Sequence, residues 1–217
     1  MSLLKPYFQD EWVTIYHADC REILPLIPDK SIDLVLTDPP YKREYLYLFG
    51  ELARYAMPLM KNGSLLLTLT GHFALDQIIK DMTSYLDFYW IGGRLNSLGT
   101  VARYHPRQMM MGWKPCLWFS RGVANQHSYV FDTISGKRID RINHEWEQPL
   151  ELFEYYINKL TETNDLILDP FLGSGTTAYC AKKLNRKCIG IEIEERYCEI
   201  AAKRCSQSVM KLEVKYD

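Results

Sequence analysis

Two segments of this chain put a carboxylate at the end of an apolar run, where a buried strand delivers chemistry to a surface. The first is Thr37-Asp38-Pro39-Pro40-Tyr41, which follows Ile32-Asp33-Leu34-Val35-Leu36. Its two prolines fix φ and remove two backbone donors, so nearby carbonyls are left to accept hydrogen bonds. An acceptor cluster beside a stacking ring suits a planar base with an exocyclic amine. The second segment is Leu166-Ile167-Leu168-Asp169-Pro170-Phe171-Leu172-Gly173-Ser174-Gly175-Thr176-Thr177. It reads as strand, glycine turn and helix start, and Gly173 to Ala178 fits G-x-G-x-x-G/A. Glu192 ends the next apolar run, 17 residues beyond Gly175. That is near the spacing at which an acid meets ribose hydroxyls. Taken alone, the glycine turn and Glu192 suit a nicotinamide enzyme equally well.

Other chemistries find little support. The six cysteines, at 20, 116, 180, 188, 198 and 205, form no Cys-x-x-Cys pair. Neither a zinc site nor a disulfide framework is indicated, and reduced, buried cysteines are expected. Cys198 and Cys205 are seven apart on a predicted helix and face its core side. His144-Glu145 is not H-E-x-x-H, so no metal site is expected there.

The elements that must position these residues alternate along the chain. Strands are predicted over 13–17, 32–37, 64–69, 86–91, 116–119, 166–169 and 187–191. Helices are predicted over 20–27, 45–60, 74–82, 149–160, 176–184 and 195–205. In 45–60, Leu46, Phe49, Leu52, Ala53 and Ala56 share one side; in 149–160, Leu152, Phe153, Tyr156 and Leu160 do. Asn62-Gly63 reads as a stop, and 92–111, with three glycines, a proline and no period, as loop. The alternation implies a mostly parallel sheet covered on both faces. A length of 217 residues suits one domain. Within 1–217 a catalytic half covers about 1–120, a short recognition insertion about 92–143, and a cofactor half about 144–217. No window of about 18 apolar residues offers a membrane span. Met1-Ser2-Leu3-Leu4-Lys5-Pro6 lacks the apolar core of a secretory signal, so a cytoplasmic location is expected.

The net charge of −1 argues against a uniformly basic nucleic-acid binder. Its distribution says more. Residues 92–141 hold eight basic and two acidic side chains, a local +6 that leaves −7 for the rest. Such a basic stretch is a plausible phosphate-contact surface.

Together these features resemble the β-type S-adenosylmethionine-dependent DNA amino-methyltransferases, the adenine-N6 and cytosine-N4 family. Asp38 to Tyr41 matches their Asp-Pro-Pro-Tyr tetrad, and Asp169-Pro170-Phe171 with its glycines matches their Asp-Pro-Phe-x-Gly-x-Gly-Thr signature. His17-Ala18-Asp19-Cys20 resembles their Gly-Asp-Cys segment. Trp113 to Ser120 resembles the strand closing their catalytic half, and His144 to Leu152 the helix start before the cofactor strand. Many members carry lysine where this chain has Gln148. The resemblance spans nearly the whole chain.

It implies an α/β, Rossmann-like class I methyltransferase fold: a mostly parallel seven-stranded sheet with helices on both faces. The tetrad precedes the glycine loop, so the two strands would be neighbours in space despite about 130 residues between them. Their ends would open into one crevice. The resemblance further implies S-adenosylmethionine as cofactor. Phe171, Gly173, Gly175 and Thr176 would wrap it, Asp169 would meet its ammonium and Glu192 its ribose, with Asp19 near its adenine or the catalytic acid. Asp38 and the Pro39 carbonyl would accept from the target amine, and Tyr41, beyond the rigid Pro40, would stack on the base. A base in a duplex must be flipped out to reach such a pocket. Pro115-Cys116 resembles the nucleophile pair of cytosine-C5 enzymes, but it opens an apolar strand and a nucleophilic role is disfavoured.

Within the family, Asp at the first tetrad position accompanies adenine-N6 methylation and Ser favours cytosine-N4. Arg94, Arg103 and Arg107 are the candidate contacts to double-stranded DNA. The brevity of the recognition insertion implies a short recognition site, or else a homodimer or a partner subunit. Two other classes stay open: a nicotinamide oxidoreductase, which leaves the tetrad unexplained, and a catalytically silent DNA-binding subunit, which the intact tetrad opposes.

Overall fold

The computed structural model describes residues 5–96, 102–125, 128–135 and 150–207. In chain order they form β1 (Phe8–Gln9), β2 (Val13–His17), α1 (Cys20–Ile23), β3 (Ile32–Thr37), α2 (Tyr47–Leu59), β4 (Met60–Leu69) and α3 (Leu75–Met82). Then follow β5 (Asp87–Leu95), β6 (Ala102–Tyr104), β7 (Met109–Met111), β8 (Trp113–Ser120), β9 (Thr133–Ser135) and α4 (Leu150–Leu160). The last elements are β10 (Leu166–Asp169), α5 (Thr176–Lys183), β11 (Lys187–Glu192) and α6 (Glu195–Ser206).

Nine strands form one sheet in the order β1-β2-β11-β10-β3-β4-β8-β5-β9. The seven strands expected are its centre. The two additions, β1 and β9, are edge strands of two and three residues, too short to carry a period-2 signal. From β2 to β4 every pairing is parallel, and β8 runs antiparallel to both of its neighbours. Parallel strands covered on both sides are apolar throughout, which is why β3 reads Ile-Asp-Leu-Val-Leu-Thr with one half-buried position.

Two cores flank the sheet. Leu34 and Leu36 face one of them, with Leu152, Phe153 and Tyr156 of α4, Ala178 and Cys180 of α5, and Cys198 and Cys205 of α6. Ile32 and Val35 face the other, with Phe49, Leu52, Ala53 and Ala56 of α2 and Ile78 of α3. The predicted apolar sides of 45–60 and 149–160 are the buried ones, except Leu46 and Leu160, which are partly covered.

Local departures have local causes. The helix expected over 20–27 stops at Ile23 and tightens into a 3-10 turn, Leu24–Leu26, whose first turn holds Pro25 and its missing donor. The stop expected at Asn62-Gly63 comes earlier, where α2 ends at Leu59, and Gly63 lies within the strand that follows. At φ +81° it sits inside β4, which begins at Met60 with a register shift against β3. The loop expected over 92–111 is partly ladder: β5 continues to Leu95 against β8, and β6 and β7 pair as a hairpin. The glycines there masked the period because Gly92 and Gly93 are β5 residues facing Asp132 and Trp113 at close range.

Candidate active site

β3 and β10 are adjacent, in register at Ile167↔Leu34 and Leu168↔Val35. Asp33 helps fasten them, accepting from the Leu166 backbone N–H at 3.0 Å. The chain leaves β10 for β11 on one side and β3 for β4 on the other, so a topological switch point lies between them. The carboxyl ends of four neighbouring parallel strands therefore line up: Asp19 just beyond β2, Glu192 on β11, Asp169 on β10 and Asp38 just beyond β3. Adjacent strands lie about 4.8 Å apart. These acids thus share one sheet edge despite being scattered over most of the sequence.

Asp169 is 2 % exposed. Its Oδ1 accepts from the Thr37 hydroxyl at 2.6 Å and the Phe171 N–H at 3.1 Å, and its Oδ2 from the Thr177 hydroxyl at 2.5 Å. Burial pushes its pKa up to about 6; hydrogen bonds from Thr177, Thr37 and Phe171 oppose the rise, and the charge of Asp38 adds to it. The residue read as meeting an ammonium thus also ties β3, β10 and α5 into one corner. Thr37 and Thr177 were not singled out for this, because a Thr at a strand end carries no distinguishing signal.

Glu192, 9 % exposed, accepts from the Gly173 N–H at 2.7 Å and the Glu194 N–H at 2.9 Å. It therefore braces the glycine loop as well as pointing an acid at the edge. Gly173 and Gly175 have φ of +53° and +82°. A Cβ at Gly175 would come within 2.9 Å of the Ala201 backbone, so glycine there lets the loop close on α6. Thr176 opens α5 and is buried, with its hydroxyl 3.3 Å from Arg204 Nη1. Phe171 is half-buried over a shallow depression lined by Cys20, Leu24, Leu52, Tyr55 and Pro170. Asp19 caps α1, accepting from the Arg21 N–H at 2.9 Å, and pairs with the Arg21 guanidinium.

On the other side of the switch point the charge changes sign. Asp38 Oδ2 accepts from Lys114 Nζ at 2.8 Å, and that ammonium lies 5.1 Å from the centroid of the Tyr41 ring. Pro39 is buried, Pro40 exposed and Tyr41 half-buried. Tyr41 approaches Gly71, and next to it Phe73 stacks on Tyr104 at 6.4 Å. Of the expected DNA contacts, Arg94 is half-buried on β5, whereas Arg103 and Arg107 are exposed on the β6–β7 hairpin. Lys137, Arg138, Arg141 and Gln148 lie outside the described residues. Cys116 is fully buried inside β8, and burial pushes its thiol pKa far up, which fits a core residue and not a nucleophile. In sequence Lys114 is one of the basic residues of 92–141 and part of the Trp113 to Ser120 resemblance; no spacing links it to Asp38, 76 residues away.

The arrangement provides acids for a cationic ligand, a turn of backbone N–H groups beside them, and a rigid acceptor turn with an aromatic ring next door. Among the described residues no helix is long and apolar enough to cross a membrane.

Comparison with known proteins agrees with this geometry. The DNA methylase family of N6 and N4 enzymes matches residues 102–203. The Type II methyltransferase M.HinfI of Haemophilus influenzae is 26 % identical over 93 % of this chain and 70 % of its own. M.BglII of Bacillus subtilis is 28 % identical over 86 % and 67 %. The crystal structure of the M1.HpyAVI–SAM complex superposes with a TM-score of 0.73 at 27 % identity, covering 89 % of this chain and 99 % of that one. The PvuII cytosine-N4-specific DNA methyltransferase shares the fold, with a TM-score of 0.77 at 20 % identity over 92 % and 88 %. All of these matched proteins are methyltransferases, which favours that reading over the nicotinamide oxidoreductase one. With its tetrad, its glycine loop and their shared crevice, the chain is similar to the N6/N4 DNA amino-methyltransferases in sequence and in fold.

Proposed function

We propose that this protein methylates the N6 amine of adenine in double-stranded DNA, acting on a base flipped out of the helix, with S-adenosylmethionine as cofactor. The observation that carries the reading is the adjacency of β3 and β10, which puts Asp38-Pro39-Pro40-Tyr41 beside Asp169 and its glycine loop.

The residues present suit the cofactor. Asp169 and Glu192 supply negative charge to a cationic amino acid and acceptors to a ribose, and the αL glycines bring backbone close to it. Bound there, S-adenosylmethionine supplies an electrophilic methyl group. The chain's own contribution is position. Asp38 and the Pro39 carbonyl accept the two N–H bonds of the target amine, orienting its lone pair out of the ring plane. Tyr41 holds the base by stacking. Direct displacement between reactants held in line draws much of its acceleration from that alignment.

Asp at the first tetrad position favours adenine, and the exposed Arg103 and Arg107 with Arg94 favour a polyanion. The short recognition segment favours a homodimer or a partner subunit, in a restriction-modification setting in the cytoplasm. The deciding experiment is nucleoside mass spectrometry of plasmid DNA from cells expressing the protein. N6-methyladenine is expected. N4-methylcytosine would replace this reading with the sister activity, and no methylated base would return the silent-subunit reading. Methylation-sensitive sequencing of the same DNA gives the site.

A further inference from the structure

Lys114 has no part in the function proposed above, yet the fold aims it at the catalytic turn. It is the second residue of β8, followed by six buried residues that lock the strand between β4 and β5. The Thr70 N–H donates to the Pro115 carbonyl and holds that end of the strand against the loop after β4. Lys114 is directly opposite Arg94 on β5, which puts both cations on one face of the sheet. Like charges across an antiparallel pair repel, so this is a costly place for an ammonium. The Asp38–Lys114 pair is also largely covered, with side chains 16 % and 17 % exposed. A covered ion pair adds little net stability, because desolvation consumes most of the attraction. The ladder bonds of β8 do not need it. Burial works to lower the Lys114 pKa, but Asp38 and then Tyr41 outweigh it and hold the amine above its ordinary value, as a cation.

We propose that Lys114 is a positioning residue for methyl transfer. Its ammonium fixes the plane of the Asp38 carboxylate and covers one face of the Tyr41 ring. The target base stacks on the face Lys114 leaves open, and its amine meets a carboxylate held in one orientation. The inference rests on the assignment of Asp38 and Tyr41 to the target base.

The test is steady-state kinetics on a duplex carrying the methylation site, with Lys114→Met, Lys114→Arg and Asp38→Ala. Lys114→Met keeps the apolar stem and removes the charge. Its kcat is expected to fall by about 100-fold, the cost of a small misplacement of reacting groups. KM for DNA and for S-adenosylmethionine should stay within about twofold of the wild type. Lys114→Arg restores a cation of different shape and should recover at least about a tenth of the wild-type kcat. A Lys114→Met kcat within about threefold of wild type would overturn the proposal. So would a loss confined to KM for DNA, which would make Lys114 a DNA contact. If Lys114→Met does not fold, Lys114→Arg decides: a lower kcat at unchanged KM supports positioning, and an unchanged kcat overturns it. Asp38→Ala separates the two levels. If that variant stays active, the tetrad assignment itself fails; if it is inactive while Lys114→Met is normal, only the role of Lys114 fails.

Discussion

The two halves of one sheet edge are built on opposite electrostatics. On the side of β2, β11 and β10, the acids Asp19, Glu192 and Asp169 stand at strand ends, and those on β10 and β11 are held by hydroxyls and backbone N–H groups. Neutral donors, two hydroxyls and a backbone N–H, orient Asp169 and leave its charge for a ligand. On the side of β8 and β5 the strand ends carry Lys114 and Arg94. Asp38 stands at the seam, an acid paired with the first cation of the other half. On the proposed function, a cationic small molecule belongs to the acidic half and a polyanion to the basic half, and the reacting atoms meet where the sign changes.

The most severe way to break this division is to remove the acid at the seam. Asp38→Ala is expected to lower methyl transfer by about 10³-fold, the scale of losing a preorganised polar contact to a reacting group. Lys114 then loses its counter-charge, so the melting temperature should drop by a few degrees and not collapse. Activity measured beside a thermal melt checks both. Retained activity would place the chemistry elsewhere.

A smaller effect is expected within the acidic half. Glu192→Ala removes a charge-assisted contact worth about 1.5–3 kcal/mol, or roughly 10- to 150-fold in the Kd of S-adenosylmethionine. Because Glu192 also accepts from Gly173, Glu192→Gln should lose less, since its amide oxygen can still hold the loop. Calorimetry on the two variants separates the ribose contact from the loop contact. Equal affinities in both variants and the wild type would remove Glu192 from the cofactor site.

The mildest test is pH. Folded Asp169 has a pKa of about 6 against an ordinary 3.8. Between those values the folded chain binds the proton more tightly than the unfolded one. The group's contribution therefore favours folding at low pH and is lost as pH rises through about 6. Asp169→Asn should flatten that fall in stability. A cation bound beside the carboxylate favours its ionised form, so cofactor binding should release protons near pH 6 and weaken a few-fold as pH falls below it. Titration calorimetry in two buffers of different ionisation enthalpy measures the release; none in the wild type, or the same release in Asp169→Asn, would detach Asp169 from the ligand.

The acidic half was the more legible in sequence. Glycines before a helix and an acid at the end of the next strand are local patterns, and the structure puts Gly173, Gly175 and Glu192 together. The tetrad was equally local. What local patterns could not give was partnership. Thr37 with Asp169 and Lys114 with Asp38 are joined only by strand order, across 132 and 76 residues. The edge strands β1 and β9 and the β6–β7 hairpin were missed because two or three residues show no period. Gly92 and Gly93 hid the extension of β5, since a residue with no side chain cannot signal which way it faces.

The strand order also bears on how the molecule is made. β2 and β3 are neighbours in sequence, but β11 and β10 lie between them in the sheet. A ribosome releases β2 and β3 well before the strands that join them. Until residues 166–192 emerge, the open edges of β2 and β3 have no native partner, and pairing across such separations is slow. The nascent chain must therefore keep two apolar strands apart, exposed to chaperones or to one another, until β10 and β11 arrive.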